Sequence, residues 1–445
     1  MRRTTSRILR GIALVSTLTL GMTACGSSDD DSDTKAVSAA DIKAALDKGG
    51  SITVWAWEPT LKTVAADFQK KYPKVKVNLV SERSGDKHYT ALSNAISAGK
   101  GVPDVAQVEY FALGQYSLTK GLTDLAPYGA GKLASKYTPG PWNAVSDGDK
   151  VYGLPMDSGP MAMFYNKTVF DKYKVAVPTT WDEYLDAARK IHKADPKAYI
   201  ANDAGDAGFT TSMLWQAGSR PYKVDGTKVG INFDDAGAKK FETVWQKLID
   251  EKLLAPINGW TDDWYKGLGD GTIATLTTGA WMPANFETGV PGAKGQWRAA
   301  AMPAWTKGDK ASAENGGSSL TVPALAKNKE LAYAFTEYAN AGDGVTTRVD
   351  QGAFPATKAQ LEDPAFQSKK FDYFDGQEAN KIFAESAANV ASDWSYLPFQ
   401  QYANSIFNDT VGKAYVSGTT LADGLKAWQD ASIKYGEEQG FTIEK

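Results

Sequence analysis

The chain has 445 residues, with 49 Lys and Arg against 52 Asp and Glu, two His and a single Cys. No basic surplus exists to neutralise phosphates, which argues against a nucleic-acid surface. So few imidazoles and thiols leave no His/Cys metal cluster, no internal disulfide and little scope for a Ser-His-Asp triad.

Arg2, Arg3, Arg7 and Arg10 flank an apolar stretch from Ile8 to Leu20. It falls short of the ~20 apolar residues that a spanning helix needs. Positive charge followed by a short apolar core is the pattern of an export signal, predicted here over residues 1–24. Gly21-Met22-Thr23-Ala24 then leads into Cys25. This resembles the lipobox of bacterial lipoproteins, with Met22 where that family most often has Leu. The resemblance implies that Cys25 becomes a diacylated N-terminus, and buried acyl chains hold a protein at a membrane surface. The segment that follows, GSSDDDSDTKAVSAA, is acidic and free of aromatics. Residues 25–50 are therefore expected to form a lipidated cysteine and a flexible tether, with the aspartates solvated. Removal of the signal takes four arginines and leaves 45 basic against 52 acidic residues, a net charge of −7.

The remaining body of about 400 residues exceeds the size at which single cores split, so two lobes are expected. Ile52 to Trp55, Val75 to Val80 and Pro103 to Val108 read as strands. Helices are predicted between them, at Leu61 to Tyr72 and His88 to Ala98. Strand and helix in alternation imply a parallel sheet with crossover helices. Ligands sit beyond the carboxyl ends of such strands, which points at Trp57 and Glu58, Glu82 and Arg83, and Glu109 and Tyr110. A second unit follows, with a strand at Met161 to Tyr165 and a helix from Thr180 to Ile191 opened by a capping box, Thr180 with Glu183. Phe241 to Leu253 is helical; strands are predicted at Ile273 to Thr277, Trp297 to Met302 and Ser319 to Val322. Lys329 to Asn340, Tyr402 to Tyr415 and Leu421 to Tyr435 are the clearest later helices.

Thirteen tryptophans suit a site for sugars, whose flat C–H faces stack on aromatic rings while planar polar groups take the hydroxyls. Trp181 and Trp245, inside amphipathic helices, read as core packing. Trp57, Trp281, Trp305 and Trp394 lie beside loops, Pro or Gly and read as cleft candidates. Gly316-Gly317 lacks the Lys-Ser/Thr of a phosphate-binding loop and fits a hinge or a close backbone approach. Asp147-Gly148-Asp149 reads as a tight turn.

Asp149-Lys150-Val151-Tyr152-Gly153-Leu154-Pro155, Phe164-Tyr165-Asn166-Lys167, Phe170, Pro178 and Thr180-Trp181-Asp182-Glu183 stand in order. Gly101 to Val105, Gly279-Ala280-Trp281, Gly316-Gly317 and Val322-Pro323 add to the series. This pattern resembles the family 1 extracellular solute-binding proteins, the maltodextrin-binding-protein-like family, from about residue 51 to the C-terminus. The resemblance implies two α/β lobes joined by a hinge around a central cleft. Residues 51–156 and 317–372 would form lobe one, and residues 157–316 and 373–445 lobe two. It also implies a cleft role for Asp157, a sugar-stacking position at Trp281 with Asn285 close behind, and lobe-one contacts from Gln107 and Glu109 beside Trp57, Glu58 and Arg83. Trp394 matches only in preceding the C-terminal helices; Trp215 is included for its loop-rich surroundings. The implied function is capture of a sugar or short oligosaccharide by a monomeric lipoprotein for an ABC permease, without cofactor or metal. An exported glycoside hydrolase, or a carrier of another solute such as a polyamine, is the alternative reading.

Overall fold

The computed structural model describes residues 36–81, 85–202, 206–391 and 393–444. Cys25, the signal segment, Glu82 and Arg83 lie outside them.

The expected tether gives way to order before residue 50. Ser38 caps a helix, α1 (Ala39–Lys48), in a reciprocal capping box with Asp41. Ile42, Ala45 and Leu46 lie at helical spacing on one face and pack against the first core. The acidic run upstream masked this short amphipathic signal.

The next elements follow the expected alternation: β1 (Gly50–Trp55), α2 (Leu61–Lys71), β2 (Val75–Val80), α3 (Gly85–Ala98), β3 (Val105–Glu109) and α4 (Tyr110–Leu118). After a run of short helices come β4 (Leu154–Pro155), β5 (Met161–Asn166), α5 (Trp181–Ala194) and α6 (Ala207–Gln216). Then come α7 (Asp262–Asp270), β6 (Thr275–Gly279), β7 (Trp297–Ala300) and β8 (Ser318–Thr321). At α5 Thr180 caps as expected, but Glu183 reaches back to the Thr179 N–H and hydroxyl. The predicted helix from Tyr402 to Tyr415 breaks in two, with turns between Ile406 and Gly412. There the Thr410 hydroxyl donates to the Ile406 and Phe407 carbonyls, and the Gly412 N–H also turns back to Phe407. Such local bonds compete with the helical ladder.

One sheet has the order β2-β1-β3-β8-β4. Its β1, β2 and β3 are parallel, as the βαβαβ pattern requires, whereas β8 runs antiparallel to both β3 and β4. The second sheet, β6-β5-β7, is wholly antiparallel around the buried β5. The first core draws on residues 52–156 and 320–356. A second draws on residues 161–313 and 397–428, and a third on residues 162–299 and 354–387. Phe354, Leu361 and Phe366 thus pack with the third core, although the expected boundary assigns them to lobe one. A bridge between Asp157 and Pro355 marks where that part of the chain crosses.

Two further crossings lie side by side and antiparallel, residues 156–161 against residues 313–318. Their backbones bond through Met156 N–H to Ser318 O, Asn315 N–H to Gly159 O and Met161 N–H to Ala313 O, at 2.7 to 2.9 Å. Each segment also offers a carboxylate to the other. Asp157 accepts the Ser318 N–H at 2.6 Å and its hydroxyl at 3.1 Å. Glu314 accepts the Ser158 hydroxyl and the Gly159 N–H, both at 2.7 Å. Arg348, 2% exposed, donates to the Met156 carbonyl from the side.

Burial pushes the Glu314 carboxyl up to about 7, against the lowering effect of its two donors and with a further push from Asp157. Because the folded value lies above the ordinary one, this group's contribution to stability is complete below about pH 4.5 and is lost as pH rises through 7. Urea denaturation of the wild type and Glu314→Gln should show the wild type losing up to about 3 kcal/mol relative to the variant over that window. A difference independent of pH would show that Glu314 is ionised at its ordinary value.

Candidate functional site

A cavity of about 1030 Å³ opens beyond the carboxyl end of β3, walled by elements of both sheets and by residues 396–416. The fold delivers aromatic rings to it from two directions. Trp281 follows β6 through the turn at Gly279-Ala280, and its indole N–H donates to the Asn315 carbonyl at 2.7 Å. Glycine is required on both sides of that ring. A Cβ at Gly279 would lie 2.3 Å from the Trp281 Nε1, and one at Gly316, where φ is +81°, would lie 3.1 Å from it. Trp260 comes from the Asn258-Gly259 turn ahead of α7. Its ring stacks on Trp281 at 5.7 Å between centroids and 29° between planes. It also tilts against Trp264, 4.9 Å away. Trp264 is buried, and its indole N–H donates to the Asn202 side-chain amide oxygen (Oδ1) at 2.8 Å.

Polar groups line the same space. Asn315 is held by both ends, accepting from the Thr278 hydroxyl at 3.0 Å and donating to the Ser212 hydroxyl at 3.1 Å. Asp206 caps α6 through the Phe209 N–H and lines the wall, as does Asn202. Glu109, at the end of β3, accepts the Tyr89 hydroxyl at 2.8 Å. The arrangement is a stacking surface bordered by fixed amides and carboxylates. Among the described residues no cluster of three or more His, Cys, Asp or Glu is placed to hold a metal ion.

Of the residues expected in the cleft, Glu109, Trp281, Gly316 and Gly317 line this cavity. Others are committed elsewhere. Glu58 takes the Thr60 hydroxyl and the Leu61 N–H at the start of α2, with the Arg348 guanidinium 4.0 Å away. Gln107 is 2% exposed; its oxygen accepts the N–H groups of Trp57 and Glu58 and its amide donates to the Ser318 hydroxyl. Trp57 is half-buried, edge-on to His88 and Tyr89. Asp157 belongs to the crossing described above, and the Asn285 amide turns back toward the Trp281 carbonyl at 3.5 Å. Trp305 packs on Trp181 in the second core.

Trp215 and Trp394 come together, but in a different place. Their rings are face to face, 4.9 Å apart with 7° between planes, on the wall of a separate cavity of about 370 Å³. Tyr396 lines both cavities. The residues that sequence reasoning missed are chiefly Trp260, Trp264, Asn202, Asp206 and Asn315. A signal for Trp260 was present: it follows Gly259 directly, and nearness to loops, Pro or Gly was among the marks that singled out Trp281. The asparagines carry no such mark, since only the tertiary fold gathers them.

Residues 56–344 match the model of the bacterial extracellular solute-binding protein family. The arabinooligosaccharide-binding protein of Bacillus subtilis (strain 168) is 30% identical over 307 residues, 66% of this chain and 69% of that protein. A solved structure of the ABC transporter associated binding protein from B. animalis subsp. lactis Bl-04, in complex with beta-1,6-galactobiose, is 48% identical with a TM-score of 0.81. It covers 89% of this chain and 99% of that one. The galacto-N-biose-/lacto-N-biose I-binding protein of the ABC transporter from Bifidobacterium longum, in complex with lacto-N-biose, is 26% identical with a TM-score of 0.76, over 89% and 99% of the two chains. With its two-lobed α/β architecture and a cleft walled by tryptophan, this chain belongs to the bacterial extracellular solute-binding proteins.

Proposed function

We propose that the protein is the sugar-binding component of an ABC importer, capturing a disaccharide or short oligosaccharide by lobe closure. The observation that carries this reading is the Trp260–Trp281 stack bordered by Asn202, Asp206 and Asn315 in one cavity. Indole faces accept the C–H patches of a pyranose ring, and the amides and carboxylate take its hydroxyls. The 48% identical relative bound to beta-1,6-galactobiose supports a β-linked galactoside as the first ligand to try.

The mechanism follows from the crossings between the cores. A ligand touching both walls stabilises the state in which the walls approach, and the population shifts by the difference in its affinity for the two states. The permease then reads the closed form. The protein carries its ligand unchanged, acts as a monomer and is held at the outer face of the membrane through Cys25. The few acidic groups on the wall suit a neutral solute better than a polyamine, since Glu58 and Asp157 are occupied within the protein.

Titration with beta-1,6-galactobiose should raise the Tm, by mass action on the folded state. A panel of mono- and oligosaccharides that leaves the Tm unmoved would discard the sugar assignment, and release of cleaved sugar would make the protein a hydrolase. Trp281→Ala should weaken binding of the disaccharide at least tenfold in calorimetry, with the fold intact by circular dichroism; equal affinity would remove it from the site. Cys25→Ser should move the protein from the membrane fraction to the soluble fraction of cells, and retention of the variant on membranes would rule out the lipid anchor.

A further inference from the structure

The cavity of about 370 Å³ that holds the Trp215–Trp394 stack takes no part in the function proposed above. The crossing separates it from the larger cavity: Glu314 lines this space, whereas the next three residues, Asn315, Gly316 and Gly317, line the other. Its volume is within the range that small-molecule sites occupy.

Two features of its wall point to one class of ligand. The first is aromatic. Trp215 is 5% exposed, and the half-buried Trp394 lies over it as the outer ring. The Trp215 indole N–H donates to the Ala391 carbonyl at 2.7 Å, which ties the stack to the segment that carries Trp394. Tyr396 meets Trp394 nearly at right angles, with centroids 5.9 Å apart. The negative face of such rings attracts cations.

The second feature is charge. Among the described residues that line the cavity, Asp147, Asp225, Asp393 and Glu314 bring carboxyl groups and none is Lys, Arg or His. Asp393 has Arg220 in its field. Glu314 has no such counterpart among the described residues. It is 3% exposed, and the groups acting on it are two neutral donors, Ser158 and Gly159, and the like charge of Asp157. Those donors use two of the roughly four acceptor positions of a carboxylate. A buried carboxylate without a cation is costly, and this one lines a space large enough to receive one. Leu118 and Val224 add exposed apolar surface to the wall. Such groups leave the N–H donors of a bare ammonium unsatisfied but suit methyl groups around one.

We propose that this cavity binds a methylated ammonium ion, held against Trp394 and neutralising Glu314, at a site separate from the sugar cleft.

The test measures choline affinity by calorimetry at fixed ionic strength, beside 3,3-dimethylbutan-1-ol, its neutral counterpart of the same shape. The wild type should bind choline at least tenfold more tightly than the alcohol. Choline favours the ionised Glu314, whose carboxyl titrates at about 7, so its affinity should rise at least threefold from pH 6 to pH 8. Of the groups around Glu314, burial holds the Tyr110 and Tyr396 hydroxyls above their ordinary value, and raises Asp157 against the pull of Arg348. Glu314→Gln removes one carboxyl alone and should bind choline weakly, without the slope. Trp394→Ala should lose at least tenfold and Trp394→Phe less. Asp225→Asn, which keeps a residue suited to the turn before Gly226, should lose at least twofold. Trp281→Ala, in the larger cavity, should stay within twofold of the wild type. Absence of choline binding, equal affinity for the alcohol, a flat pH profile, or a loss in Trp281→Ala equal to that in Trp394→Ala would overturn the proposal.

Discussion

Backbone that passes between two apolar cores must still satisfy its N–H and C=O groups, and this constraint shapes the centre of the molecule. Residues 156–161 and 313–318 meet it by running antiparallel and bonding to each other. Asp157 and Glu314 reinforce the pair reciprocally, each accepting an N–H from the segment opposite. The cost of burying two carboxylates is visible in their titration, since burial raises both. The gain is a narrow connection of defined register. The strands that continue from it, β5 on one side and β8 on the other, carry that register into the two sheets.

The cavity is built on this connection. Asn315 and Gly316 are part of the crossing and at the same time the seat of the Trp281 indole. The aromatic wall is therefore fixed relative to the joint between the cores. Trp260 extends the wall outward at the expense of a left-handed backbone, which costs a non-glycine residue roughly 1–2 kcal/mol. Folding tolerates such a term where the neighbours over-determine the conformation, as Trp264 and Trp281 do here.

Much of the fold was legible because its periodicities are strong. β1, α2, β2 and β3 stand where alternation and helical spacing placed them, and a run of short motifs pointed to the right family. What escaped was set by competition between local and tertiary bonds. The break after Ser405 turns on the Thr410 hydroxyl, and α1 on an apolar face of three residues beside an acidic run. The site was legible only in outline. The rule that ligands sit beyond strand ends led to Glu109, and the Gly279-Ala280-Trp281 motif led to Trp281. Polar character near a strand end is ambiguous, however. Gln107 and Glu58 have the chemistry of ligand contacts, yet the fold spends it on backbone N–H groups that the loop after β1 leaves open.

The amide of Gln107 has a further consequence. Trp57 and Glu58 donate into its oxygen, its nitrogen donates to the Ser318 hydroxyl, and that hydroxyl donates to Asp157. Every bond in this relay points the same way and ends on a carboxylate, which has no proton to return when ionised. The orientation of the amide and the rotor of the serine are thereby both decided. The loop after β1, the middle of the sheet and the crossing are wired in a single polarity, so that a shift at one end is transmitted as displacement rather than absorbed by reversing a bond.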